Sequence, residues 1–131
     1  MFCAVPASAL NLHNGYTVIR NEGQIPVWVF IQHFIPGTIA GAVVQGWTEI
    51  GPHSTLVANN CCYAAGSPYR LQVSDSGPNR SRASYHFEPR LCNQHGIPYG
   101  FAMFAISAHK VAAHEGHEIR GGRIDGSCPG G

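Results

Sequence analysis

The sequence PVWVFIQHFIPGTIAGAVVQGWTEI occupies residues 26–50 and contains both tryptophans of the chain, Trp28 and Trp47. Two runs rich in apolar, β-branched and aromatic residues flank Pro36-Gly37, a pattern typical of a strand, a turn and a second strand. We therefore predict that these two strands pair at the centre of the domain. We also predict that the two indoles are neighbours inside its core.

Further strands are predicted on both sides of this pair. Residues 69–74 and 83–87 alternate between apolar and polar side chains, as in a strand with one buried face. Residues 99–106 are apolar throughout, so this strand is expected to be buried on both faces. With the runs at 16–20 and 54–58, the spacing predicts an all-β fold, an antiparallel β-sandwich or small barrel of about seven or eight strands.

The chain of 131 residues is predicted to form a single domain covering residues 1–131. Its core is expected at about 16–106, and residues 107–131 form a C-terminal extension with a Gly-rich tail. Residues 108–115 of this extension fit either a short helix or an edge strand. No apolar run approaches the roughly 20 residues of a membrane span, so none is expected.

Charged residues make up only 11% of the chain, against roughly 25% in an average soluble domain. A surface with so few charges is either kept soluble by uncharged polar groups or covered by partner subunits or glycans. The formal net charge of +1 gives no electrostatic reason to expect nucleic acid or acidic lipid as a partner.

The five cysteines indicate disulfides, because they lack the Cys-x-x-Cys spacing of zinc ribbons and thioredoxin-like sites. Adjacent strand residues point to opposite faces, so Cys61 and Cys62 are expected to bond two different partners, for which Cys92 and Cys128 are the candidates. Cys3 is then free or bonded between chains. Disulfides imply a secreted, extracellular or periplasmic protein. The alternative is five reduced, buried cysteines.

Three histidines, His109, His114 and His117, form the densest set of possible metal ligands. On a helix, His114 and His117 would share a face. The segment lacks the His-Glu-x-x-His spacing of a zinc protease, since its two histidines are three residues apart around Gly116. The alternative is that these are exposed polar residues and that the protein has no cofactor.

Two further candidates concern the surface. Asn79-Arg80-Ser81 is an N-glycosylation sequon in a Pro-Asn turn, which predicts a glycan on Asn79. Tyr63 and Tyr69 are candidates for stacking against a ligand, although aromatic residues in an all-β chain are more often part of the core.

The order of motifs resembles that of the DUF1036 family of small bacterial domains over about residues 16–106. The resemblance rests on Gly46-Trp47, the turn at Gly51-Pro52 and the late segment Cys92-Asn93-x-x-Gly96 followed by Phe104-x-Ile106. The pattern departs from the family at Thr48, where a second aromatic residue is expected, and at the turn, which reads Gly51-Pro52 rather than Pro-Gly. The tyrosine cluster is also reduced to Tyr63 and Tyr69. The resemblance implies an all-β domain and no reaction, because the family has no assigned catalytic residues.

These observations favour a non-catalytic structural or interaction module outside the cytoplasm, which associates with itself or with another surface protein. Low charge, apolar strands and a spare cysteine support this hypothesis. One alternative is a β-sandwich that binds a glycan or small ligand through exposed aromatic residues. The other is a metal-dependent enzyme that uses the histidines, although no catalytic motif is present.

Overall fold

The computed structural model describes residues 12–34, 42–64, 67–123 and Cys128, except for the side chains of residues 12, 61–64 and 121–123. Within these ranges the chain forms nine strands and one short helix. In chain order they are β1 (Leu12–Asn21), β2 (Val27–His33), β3 (Ala42–Ile50), β4 (Thr55–Ala64), β5 (Tyr69–Ser74), β6 (Ala83–Glu88), β7 (Arg90–Gln94), β8 (Ile97–Ile106), α1 (Ala108–Ala113) and β9 (Glu118–Arg123).

The strands form two sheets, of four strands in the order β4-β1-β8-β7 and of five in the order β3-β2-β5-β6-β9. The prediction of an all-β, sandwich-like fold is confirmed, and the described strands do not close into a barrel. The expectation of antiparallel pairing holds for most pairs but is wrong for two, because β1–β8 and β6–β9 run parallel. Parallel neighbours need a long crossover connection, and here the chain passes through other strands before it returns.

Alternation along β2 and β5 builds the core between the sheets. Val27, Val29 and Ile31 point inward from β2 and are fully buried. Leu71 opposes Ile31 on β5 and is also fully buried. Burial of each of these side chains stabilises the fold by about 1.5–3 kcal/mol, so this strand pair supplies a large part of the hydrophobic stabilisation.

The two tryptophans lie in the predicted strands but not in the core, so the prediction of a buried indole pair is wrong. Trp28 alternates with Val27 and Val29, and it points out of the sandwich, where it is partly exposed. Trp47 lies on the same outer face, with its ring 5.6 Å from that of Phe30. Since neighbouring strand residues face opposite ways, the aliphatic residues could only be buried by turning the indoles outward.

The packed structure continues beyond Ile106, where the core was expected to end. Ser107 caps α1 by accepting a hydrogen bond from the Lys110 backbone N–H, and Val111 of that helix is fully buried in the core. Strand β9 then pairs with β6 and includes the glycine pair of the predicted tail. The C-terminal extension is therefore part of the sandwich as far as Arg123.

A buried asparagine ties the two sheets together at one end. The Asn21 side chain at the end of β1 donates to the carbonyl oxygens of Ile25 (2.9 Å) and Ile50 (3.0 Å). Its own Oδ1 accepts from the Gly23 backbone N–H at 2.9 Å. One fully buried side chain therefore satisfies three backbone groups, and it holds the first strand of one sheet against segments that border the other.

We expect Asn21→Ala to lower the free energy of unfolding by about 2–4 kcal/mol, because it removes three hydrogen bonds, one of them to the carbonyl oxygen of the buried Ile50. Equilibrium unfolding in urea, followed by tryptophan fluorescence, measures this loss. Asn59→Ala is the matched control, since Asn59 is exposed on β4 and should change stability by less than about 0.5 kcal/mol. Equal midpoints for the two variants would contradict the role given to Asn21.

Candidate functional site

The outer face of the four-stranded sheet carries apolar side chains where a solvated sheet normally has polar ones. Val18 of β1 stands between Val57 of β4 and Met103 of β8. Val57 is 54% exposed and Met103 is 49% exposed. The next pair along the same face is Tyr16 with Phe101. Apolar surface thus extends across three neighbouring strands, and we call it the apolar face.

A recess of about 440 Å³ opens on the apolar face. It is lined by six apolar or aromatic and three polar side chains: Tyr16, Val18, Val57, Ile97, Tyr99, Phe101, Asn14, Gln94 and His95. Ile97 is 63% exposed, so it projects at the border of the recess. The Tyr99 ring packs edge-on against Tyr16 at 5.5 Å, and its hydroxyl is buried without a hydrogen-bond partner among the described groups.

Two residues with positive φ form the turn that places Ile97 at this border. His95 (φ 53°) and Gly96 (φ 76°) link β7 to β8 as a two-residue hairpin loop. Positive φ at both central residues is the geometry that matches the twist of paired strands. The residue pattern does not predict this hairpin, because His95-Gly96 is not one of the Asn-Gly or Asp-Gly pairs that mark a two-residue turn.

A disulfide attaches the C-terminal segment to the apolar face. Cys92 on β7 bonds Cys128, with their Cα atoms 5.8 Å apart, and both pack against Tyr99 and Phe101. The predicted disulfide cysteines are thus confirmed for these two, but pairing them with Cys61 and Cys62 is wrong. Cys3 and the side chains of Cys61 and Cys62 lie outside the described residues.

We expect Cys128→Ser to lower the free energy of unfolding by about 2–4 kcal/mol, because the bond closes a loop that contains β8, α1 and β9. Denaturant unfolding of the variant against the oxidised wild type measures the loss. The double variant Cys92→Ser/Cys128→Ser should have the same free energy of unfolding as the single variant, since both lack the same disulfide. A single variant as stable as the wild type would show that the bond does not constrain the unfolded chain.

A buried polar cluster lies between the sheets at His33. The Asn60 amide donates to Nδ1 of His33 at 2.8 Å and to the Tyr69 hydroxyl at 2.7 Å. The imidazole also stacks on the Tyr69 ring, with centroids 4.4 Å apart. His33 is 1% exposed, and this burial lowers its pKa from 6.5 to about 4. The ring is therefore neutral at pH 7, and its place inside the core suits a structural role rather than contact with a substrate.

We expect stability to fall as the pH decreases from 6.5 to about 4, because the unfolded chain takes up a proton on His33 before the folded chain does. A pKa difference of this size corresponds to a loss of about 3 kcal/mol. His33→Gln keeps an acceptor for Asn60 without this titration, so its stability should depend less on pH in that window. His109→Gln, at an exposed site, is the control and should keep the wild-type profile. The pH dependence of urea midpoints measures the effect, and identical slopes for all three proteins would refute it.

The structure does not bring the three candidate metal-ligating histidines together as a site. Nδ1 of His114 is 2.8 Å from the Tyr85 hydroxyl, whereas His109 and His117 are exposed. In the described ranges no group of three or more His, Cys, Asp or Glu side chains could hold a metal ion. The metal-dependent alternative therefore has no site in the part of the molecule that the structure describes.

The remaining surface candidates have mixed outcomes. Tyr69 is 1% exposed and packs against Phe87, so the prediction that it stacks on an external ligand is wrong. Tyr63 lies on β4, but its side chain is outside the described residues. Asn79 is exposed in the turn between β5 and β6 at φ 62°, a conformation that asparagine tolerates. Its glycosylation stays a prediction.

Comparison of the chain with protein-family models, with curated proteins and with solved structures returned no match in any of the three. The resemblance to the DUF1036 family therefore stays a prediction. Among the described residues, no helix has the length and apolar character needed to cross a bilayer. The disulfide is compatible with a protein of an oxidising, extracytoplasmic compartment.

Proposed function

We propose that this chain is a non-catalytic interaction module that associates with a second copy of itself through the apolar face. The observation that carries the proposal is the exposure of Ile97 and Val57 at one recess, with the exposed Met103 beside it in register with Val18. Exposed apolar side chains that are grouped on one face, rather than scattered singly, mark interaction surfaces.

The shape of the apolar face favours a second copy as the occupant. In a twofold dimer the same patch meets itself, so each part of the patch must complement another part of it. Here a projecting Ile97 lies at the border of a recess lined by apolar rings on the same face. In a twofold arrangement, Ile97 of each copy enters the recess of the other.

The charge distribution supports the same arrangement. The polar residues that line the recess, Asn14, Gln94 and His95, are amide and imidazole side chains rather than acidic or basic pairs. Arg20 and Arg90 stand on the same face in register with Ala105 and Phe101, outside the recess. Two copies therefore meet without a desolvated like-charge pair at the centre of the contact, which would otherwise oppose association.

The proposal places the protein in an extracellular or periplasmic compartment, because the Cys92–Cys128 bond requires oxidising conditions to persist. The same bond holds Cys128 beside the rings of the recess. A covalently held Cys128 lowers the ordering cost of association, since this residue need not be immobilised when the two copies meet.

We expect Ile97→Lys to weaken self-association at least about tenfold, because it replaces the projecting side chain by an ammonium group that the recess cannot solvate. Light scattering coupled to size exclusion measures the mass over a range of protein concentrations. Val43→Lys is the matched control, since Val43 is 60% exposed but lies on β3 of the other sheet. A wild type that stays monomeric at every concentration would refute the proposal, and so would equal effects of the two lysines.

A further inference from the structure

The opposite side of the sandwich, the outer face of the five-stranded sheet, combines aromatic rings with polar side chains. Trp28 and Phe30 point outward from β2, and Trp47 of β3 packs beside them. The Phe30 and Trp47 rings are 5.6 Å apart and inclined by 38°, and all three residues are only partly buried. We call these three side chains the aromatic row.

Uncharged polar groups lie beside Phe30 of the aromatic row, whereas the register partner of Trp28 is the exposed Glu49, whose charge is opposite to that of Arg70 on the same face. Gln72 on β5 is the register partner of Phe30, and Ser84 on β6 is in turn the partner of Gln72. Register partners have Cβ atoms about 4.5–5.5 Å apart. An amide and a hydroxyl therefore continue the aromatic row across the sheet, and both are partly accessible.

A guanidinium group is held in place next to these residues. Arg70 donates two hydrogen bonds to Oε1 of Gln32, from Nε at 3.2 Å and from Nη2 at 2.6 Å, and it lies 5.8 Å from the centre of the Phe34 ring. These bonds occupy two of the five N–H groups of the guanidinium. Its orientation is thus fixed before any ligand arrives, while other donors remain available.

The charges farther along this face neutralise one another. Glu118 of β9 contacts Arg120 at 3.3 Å and His86 at 3.6 Å. The hydrogen bond from Arg120, and then the proximity of His86, lower the pKa of the Glu118 carboxyl. Such a surface does not present the excess of basic groups that binds phosphates, and it therefore favours a ligand without charge.

We propose that this face is a carbohydrate-binding site, which takes a neutral oligosaccharide across the aromatic row, Gln72 and Arg70. A pyranose ring has one face of C–H groups and a rim of hydroxyls. The indole and phenyl rings fit the C–H face. The Gln72 amide both donates to and accepts from the hydroxyls, and the Arg70 guanidinium donates to them. This surface is distinct from the apolar face, so the site does not depend on self-association.

The two tryptophans of the chain both lie on this face, so intrinsic fluorescence reports binding directly. The probes are four neutral hexasaccharides: cellohexaose, maltohexaose, mannohexaose and N-acetylchitohexaose. We expect at least one of them to shift the emission with a dissociation constant of about 0.01–1 mM, and titration calorimetry gives the same constant independently.

Trp47→Ala should weaken the binding at least about tenfold, and Gln72→Ala should weaken it by about three- to tenfold. Leu91→Ala removes an exposed apolar side chain from β7 of the other sheet and should bind as the wild type does. Thermal unfolding checks that each variant is folded. If Trp47→Ala does not fold, the loss of binding by Gln72→Ala still tests the site. The mass of Gln72→Ala in solution, measured by light scattering, should equal that of the wild type. Loss of sugar binding can then be distinguished from loss of self-association.

Two results would overturn the assignment of this face. One is the lack of any fluorescence or heat change with all four hexasaccharides at concentrations up to about 10 mM. The other is binding that survives both Trp47→Ala and Gln72→Ala, which would move the sugar to a different surface. Either result leaves the proposal of self-association through the apolar face unaffected.

Discussion

The strict alternation of side chains along β2 is the constraint on which the rest of the structure depends. Val27, Val29 and Ile31 must face inward to form the core, so Trp28 and Phe30 must face outward. A shift of one residue would exchange the two sets and bury Trp28 and Phe30 at the expense of the aliphatic groups. The register of β2 thus decides the packing between the sheets and, at the same time, the chemistry of the outer face.

Two polar side chains inside the sandwich, Asn21 and His33, are stabilised by hydrogen bonds with their neighbours. Asn21 satisfies backbone groups at one end, and His33 shares the Asn60 amide with Tyr69. Each group would destabilise the interior if it were alone, because a buried donor or acceptor without a partner costs about 1–3 kcal/mol. Paired in this way, they restrict the sheets to one mutual arrangement, which apolar packing alone specifies less sharply.

The two outer faces differ in composition, and a sandwich makes them independent. The apolar face has Val57, Ile97 and Met103 exposed, whereas the face around Trp47 mixes rings with amide and guanidinium groups. Because the sheets lie about 10 Å apart with a dry core between them, a partner on one side does not cover the other. If the proposed dimer and the proposed sugar site both exist, each dimer presents two sugar sites, and avidity follows without new contacts.

Much of the strand content could be predicted from residue patterns, because strand periodicity is local. Alternation of apolar and polar residues predicts strands at 69–74 and 83–87, and the apolar run before Pro36-Gly37 predicts another. All three segments form strands. Strand β7 was not predicted, because its residues, Arg90–Gln94, are mostly polar and exposed. The hairpin that follows it was therefore not predicted either. The role of Val111 was missed as well, since a helix of six residues carries too little periodicity to identify a buried face.

The sequence by itself determined that the chain is an all-β domain with few charges and cysteines suited to a disulfide. Only the tertiary structure decided that Cys92 bonds Cys128, that the tryptophans face outward and that Tyr69 is buried. Periodicity shows that two faces exist on a strand, but which face is covered depends on the sheet that packs against it. Disulfide partners likewise depend on which distant segments the two sheets bring within bonding distance.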